Sequence, residues 1–293
     1  MTRLHELTII MRGAGDLATG VALRLYRAGF RRLLLLETAH PLAVRRLVCF
    51  SEAVVLGEVR VEDVRGYRLH DPDHHPDTSG QQGDESRVYQ ARTAPGFHIN
   101  TWPDEEGIAV LVDPEGAAVR SMRPDVVIDA IMAKRNLGTN RDMAPLVIGL
   151  GPGFTAGQDV HCVIETMRGH TLGRVIHEGA ALADTGVPGN IGGYTTERLL
   201  RAPVAGMFVT GHAIGDRIQA GEQVGTVEGE PVVAAISGIL RGLLRTDTPV
   251  AAGTKLGDID PRGEADYCPL VSDKALAIGG GVLEAILGSL SGV

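Results

Sequence analysis

Lysine is nearly absent from this chain: of its 28 basic residues only Lys134, Lys255 and Lys274 are lysines. Positive charge is therefore almost all guanidinium, a planar group suited to carboxylates and phosphates, although a genome-wide base bias would leave the same pattern. Large aromatics are scarce too, with five Phe, five Tyr and one Trp, so tight turns and close backbone packing among the 39 glycines must replace aromatic anchors. Cys49, Cys162 and Cys268 are odd in number and lie outside any C-x-x-C spacing. That argues against a disulfide framework and for a reducing compartment. A net charge of -8 leaves no general basic face for nucleic acid or an anionic membrane. No signal peptide and no run of eighteen apolar residues is found, so the expectation is a cytoplasmic protein without a membrane span. No metal site is expected.

What the chain does have is an apolar run at 7–11 that empties into RGAGDLATG, residues 12–20, ahead of a helical pattern. Gly13, Gly15 and Ala18 satisfy the G-x-G-x-x-G/A spacing, and Glu37 ends the next apolar run where a ribose-binding acid would stand. Glycines there permit close backbone approach, and the helix start offers unpaired N–H groups to an anion. Asp16 disagrees with a plain dinucleotide reading, because its carboxylate would face a pyrophosphate. Capping the helix is one role for it, and holding a metal, hydroxyl or cationic ligand group is another. Residues 41–50 read as a short helix with Arg45 and Arg46 on its polar side.

Residues 70–96 read as a loop insertion, since His70, His74 and His75 among Asp71, Asp73 and Asp77 lack any apolar period. Strands of parallel type resume at 108–113, 125–132 and 145–150. The last runs into GPGFTAG, a second glycine loop carrying Gly151, Gly153 and Gly157. Ligands of open α/β sheets gather at strand carboxyl ends. The two loops and the AKRN segment with Lys134 are thus expected to line one crevice, with Arg12 and Lys134 as charge partners.

Residues 159–176, DVHCVIETMRGHTLGRVI, concentrate ionisable groups. As a strand they place His161 and Glu165 on one side, with His170 following in a turn beside Arg168. Acid–base work, metal binding and an oxyanion clamp all suit such a set, as does a satisfied polar junction between domains. Cys162 reads as a buried, inert thiol. Catalytic candidates are accordingly His161, Glu165, His170 and Lys134.

From residue 202 the chain repeats itself at an offset of 32 residues. APVAGMF matches AAISGIL, and IQAGEQVGTV matches VAAGTKLGDI. Two copies too small to bury their own apolar faces should interlock about a pseudo-twofold. The pattern resembles the barrel-sandwich fold of lipoyl and biotinyl domains, but the hairpin VEGEPVV holds no lysine to modify, which argues against a swinging-arm carrier. The expected fold is α/β plus all-β: a Rossmann-like ligand-binding domain over 1–177, a linker over 178–200, a barrel-sandwich domain over 201–262, and a C-terminal loop and helix over 263–293. Three glycines in that helix, Gly279 to Gly281, imply close approach to another backbone.

In combination RGAGDLATG, PLAVRRLVCFSEAV, IDAIMAKRN, GPGFTAGQDVHCVIETMRGHTLGRVI, TGVPGNIGG, APVAGMF and SDKALAIGGGVLEAIL resemble the YqeB-type proteins of the selenium-dependent molybdenum hydroxylase system. The resemblance implies an accessory role in maturing a molybdenum hydroxylase of the xanthine dehydrogenase type, and it carries no catalytic residue with it. Three readings stay open, so enzymatic status does too. One is a maturation factor, expected as a homo-oligomer, that binds a nucleotide-like or phosphate-bearing ligand such as molybdopterin dinucleotide or a selenium donor. The second is an NAD(P)-dependent oxidoreductase. The third is a scaffold that docks the apo-hydroxylase.

Overall fold

A computed structural model describes residues 4–69 and 106–291. The histidine- and aspartate-rich stretch read as an insertion lies outside the described residues. Eleven strands belong to the first unit: β1 Thr8–Arg12, β2 Arg32–Glu37, β3 Glu58–Val61, β4 Val64–Arg68, β5 Ile108–Val112, β6 Val126–Asp129, β7 Leu146–Leu150, β8 Thr155–Ala156, β9 Cys162–Ile164, β10 Val175–Ile176 and β11 Gly179–Ala180. Nine form one mixed sheet in the order β10-β9-β7-β6-β1-β2-β5-β4-β3. Its central strands β5, β2, β1, β6, β7 and β9 are all parallel. The chain leaves β1 toward β2 on one side and takes up β6 on the other. That reversal opens a crevice at the carboxyl ends of β1 and β6.

These central strands are short apolar runs because both sheet faces are covered. Ile9, Met11, Leu33, Leu35, Ile128 and Ile148 pack beneath α1 Asp16–Arg27 and α4 Asp273–Ser291. Ile10, Leu34, Val127 and Val147 face the other core, with α3 Ala117–Met122. By length and composition α4 could cross a membrane, unlike anything the sequence suggested, but its face of Ala275, Ile278, Val282 and Ile286 belongs to the first of these cores. Close approach explains two of its glycines. A Cβ on Gly279 would lie 2.9 Å from the Gly20 carbonyl oxygen, and one on Gly281 would lie 2.0 Å from that of Gly173, whereas Gly280 faces open space.

Two expected elements differ. Residues 41–50 form no helix beyond a 3-10 turn at Arg46–Val48, followed by the short α2 Glu52–Leu56. The reason is tertiary: the Val44 carbonyl accepts from Leu243 N at 2.8 Å, and Arg46 Nε donates to the Leu243 carbonyl at 2.7 Å. Residues 159–176 are not one strand either. They break after β9 where Glu165 turns the chain, and return as β10.

The second unit comprises β12 Leu199–Arg201, β13 Gly206–Val209, β14 Arg217–Ile218, β15 Gln223–Val227, β16 Glu230–Val233, β17 Gly238–Leu243, β18 Thr248–Val250 and β19 Lys255–Asp260. Two four-stranded antiparallel sheets, β12-β19-β17-β14 and β16-β15-β13-β18, close over one core around Phe208, Val224, Leu240 and Leu256. The repeat is visible in the register. Gly206 pairs with Val250 as Gly238 pairs with Ile218, and Phe208 pairs with Val227 as Leu240 pairs with Ile259. Each sheet therefore takes two strands from each copy, which is how units too small to stand alone share a core.

Candidate functional site

Gly13 closes the end of β1. Its φ is +104°, its N–H donates to the Leu36 carbonyl at 2.7 Å, and a Cβ there would stand 2.9 Å from the Ala130 carbonyl oxygen. Only glycine fits that conformation and that spacing. Gly15 differs: it is the N-cap of α1 with φ −73° and ψ −169°, and a Cβ there would meet nothing. Beyond it opens a cavity of about 950 Å³ whose lining includes Gly13, Gly15, Asp16, Glu37, Ser51 and Asp113. The volume suits a nucleotide-sized ligand.

Glu37 lines this cavity and also braces it. One carboxylate oxygen accepts from Ala14 N at 3.0 Å and the other from Thr38 N at 2.8 Å. Asp113 similarly holds Ala117 N and Ala118 N at 3.0 and 2.8 Å, fixing the start of α3. Asp16 makes no cap; it is the first helical residue, and its carboxylate pairs with the buried Arg45 at 3.2 Å. The cationic partner considered for it is thus supplied by the chain itself.

Ser51 is not singled out by the sequence: it lies within PLAVRRLVCFSEAV, but nothing local marks that serine as a site residue. Its N–H donates to the Ala14 carbonyl at 2.9 Å, which brings it under the glycine loop. Its Oγ is fully buried at the cavity wall and has no hydrogen-bond partner. A buried hydroxyl left so costs about 1–3 kcal/mol. A ligand oxygen or N–H in the cavity would satisfy it.

Arg12, expected to meet the ligand, lines the cavity with its guanidinium engaged elsewhere. It bonds the Thr139 hydroxyl, lies 3.3 Å from Asp129 Oδ2 and donates to the Leu137 carbonyl at 3.3 Å. Thr139 donates in turn to Asp129 at 2.5 Å, completing a buried network at the end of β6.

The second glycine loop does not reach the cavity lining. Gly151, with φ +74°, packs against Thr166, and Gly153, with φ +111°, sits where a Cβ would be 2.7 Å from Arg135 N. Gly157, at φ +85°, closes a turn through its bond to the Val160 carbonyl. These are packing and turn requirements. Lys134 pairs with Asp184 at 2.7 Å on the surface and is not among the cavity residues.

The ionisable group in the middle does not converge on one point. Glu165 is 3% exposed and accepts from Met167 N at 2.7 Å and Leu182 N at 2.9 Å. His161 Nδ1 accepts from Val147 N at 2.9 Å, which places the ring proton on Nε2. Burial, and then Arg141, hold its pKa below the ordinary histidine value. His170 is exposed in its turn. Burial pushes the Cys162 thiol up to about 11, so it is no thiolate at neutral pH. Among the described residues no cluster of three or more His, Cys, Asp or Glu could hold a metal.

Fold and crevice together define an α/β protein with a cavity at the strand-order reversal, joined to an antiparallel β unit. No family model matches the chain. It is 46% identical over 283 residues to the uncharacterized protein YqeB of Escherichia coli (strain K12), an alignment covering 97% of this chain and 48% of that protein. The match supports a place in the YqeB family, and the chain spans about half the length of this relative. A succinylglutamate desuccinylase/aspartoacylase structure from Rhodobacter sphaeroides is similar over 50% of this chain and 64% of its own, at 15% identity and a TM-score of 0.22. A likeness that slight carries no argument.

Proposed function

We propose that this chain is a cytoplasmic ligand-binding accessory factor that holds a nucleotide-like or phosphate-bearing molecule in the glycine-loop crevice. The observation that carries the reading is the cavity itself, into which the start of α1 opens and at whose wall the buried Ser51 hydroxyl waits without a partner. Backbone N–H groups and the positive end of α1 would meet the phosphates. Arg45 offsets the charge of Asp16, which removes the like-charge objection to an anionic ligand. The YqeB resemblance supports a ligand linked to molybdenum hydroxylase maturation, with molybdopterin dinucleotide and a selenium donor as the candidates. The second unit, read as a barrel-sandwich module without a modifiable lysine, is then the docking surface for the hydroxylase of xanthine dehydrogenase type.

One observation favours a second reading, an NAD(P)-dependent oxidoreductase: Glu37 stands at the end of β2 and lines the cavity. Its carboxylate already holds Ala14 and Thr38, so it would meet a ribose only with its remaining lone pairs. Native mass spectrometry with elemental analysis of protein from a host making molybdenum cofactor and selenium compounds separates the two. A retained pterin dinucleotide, molybdenum or selenium supports the accessory role. A retained nicotinamide supports the oxidoreductase, and an apo mass counts against both.

A further inference from the structure

The glycine-loop crevice carries more negative charge than positive. Among the described residues its lining holds four carboxylates, Asp16, Glu37, Asp113 and Glu115, against one arginine, Arg12, and the exposed His40. Arg45 offsets Asp16 at 3.2 Å, and Arg12 is spent on Asp129 at 3.3 Å. Glu37, Asp113 and Glu115 have no ion pair among the described residues. A phosphate at the start of α1 would therefore meet uncompensated carboxylates and no free arginine or lysine in the lining.

Hydrogen bonds hold two of these acids together. Glu37 ends β2 and Asp113 follows β5, its parallel neighbour, and Asp113 N donates to the Glu37 carbonyl at 3.0 Å. The Glu37 carboxylate accepts from Ala14 N at 3.0 Å, and the Ala14 carbonyl accepts from Ser51 N at 2.9 Å. This short chain of bonds brings both acids and the buried, unpartnered Ser51 hydroxyl to one end of the cavity. Each carboxylate braces backbone N–H groups yet keeps acceptor capacity, since its two oxygens offer about four lone-pair sites. No cluster of three or more His, Cys, Asp or Glu could cage a metal among the described residues. A cation here would take most of its ligands from water and from the bound molecule. Magnesium behaves in that way: it keeps several waters and binds through one or two carboxylates plus substrate phosphates.

We infer that the crevice takes its phosphate-bearing ligand as a complex with a divalent cation of magnesium type, with the phosphate at the start of α1 and the cation's waters against Glu37, Asp113 and Glu115. The inference rests on the phosphate-bearing reading of this crevice and adds the counter-ion that the lining lacks. The cation offsets the phosphate charge, its waters donate to the carboxylates, and the Ser51 hydroxyl gains an oxygen of the complex as its partner. A hydroxyl beside a phosphate-bound magnesium is also the arrangement of P-loops.

The test is calorimetric titration of the full chain with ADP and with inorganic pyrophosphate, in magnesium chloride or in EDTA, at one ionic strength. Binding should be at least about tenfold tighter with magnesium, because the metal-free anions face the carboxylates unscreened. Magnesium chloride alone should give no binding heat. Glu37→Gln and Glu115→Gln should each narrow the gap by tightening the metal-free complex, a gain that a merely structural role for these acids would not produce. Glu115 makes no hydrogen bond among the described residues, so its variant decides the matter should Glu37→Gln not fold. Equal affinity with and without magnesium overturns the inference and leaves the phosphate-bearing reading standing. A magnesium effect unchanged in Glu115→Gln, or magnesium binding alone, also overturns it. No binding of either probe under either condition removes the phosphate-bearing reading and the inference with it.

Discussion

The carboxylate of Asp16 lies 3.2 Å from the guanidinium of Arg45, and the same guanidinium donates to the Leu270 carbonyl at 2.9 Å. One arginine thus ties the glycine loop to the chain entering α4. Arg45 is buried and Asp16 is part-exposed, so the two deletions are unequal. Asp16→Ala strands a buried cation and should cost about 3–5 kcal/mol, whereas Arg45→Met leaves a carboxylate that water can reach and should cost clearly less. Urea unfolding of both variants and of the double variant measures the difference; equal costs would contradict the burial argument.

Three adjacent glycines in α4 should respond with opposite signs. Gly280→Ala adds a methyl to open space and should stabilise by about 1 kcal/mol through helix propensity. Gly281→Ala drives a Cβ to 2.0 Å from the Gly173 carbonyl oxygen and should destabilise the protein severely, with Gly279→Ala between them. Thermal unfolding of the three single variants reads the order directly.

Ser51→Ala separates ligand-free stability from binding. Removing a buried hydroxyl that has no partner should leave the apo protein unchanged or about 1 kcal/mol more stable, while weakening whatever the crevice binds. A loss of apo stability would mean that the hydroxyl is already satisfied.

His161 gives a pH signature. Its folded pKa is held below the unfolded value of about 6.5 by burial and Arg141. The unfolded state therefore binds the proton more readily, and this contribution, present above pH about 6.5, is lost as pH falls through the folded pKa. His161→Asn, whose Oδ1 can accept from Val147 N in place of Nδ1, should flatten that acid limb in a plot of stability against pH.

The sequence was legible where structure follows from local pattern. β1, β5, β6 and β7 are apolar runs because parallel strands are covered on both faces, and the offset of 32 residues seen in the sequence reappears in the strand register. What was not legible depends on partners far along the chain. Arg12 reads as a ligand contact until Asp129, 117 residues on, arrives beside it. Glu165 looks catalytic until its carboxylate is seen holding Met167 and Leu182. GPGFTAG looks like a second ligand loop, but Gly151 and Gly153 answer to close packing against Thr166 and Arg135. Ser51 lies inside PLAVRRLVCFSEAV, but its place under the glycine loop depends on Ala14, far back along the chain.

The most direct test of the account compares wild type with Gly15→Leu, both purified from the cofactor-producing host and weighed by native mass spectrometry. Gly15 tolerates a side chain, since its backbone is extended and a Cβ there would meet nothing, so the leucine should fold and project into the cavity. The account predicts a ligand mass on the wild type, none on the variant, and matching circular dichroism. The same ligand retained by both proteins would contradict it, because the ligand would then sit outside the glycine-loop crevice.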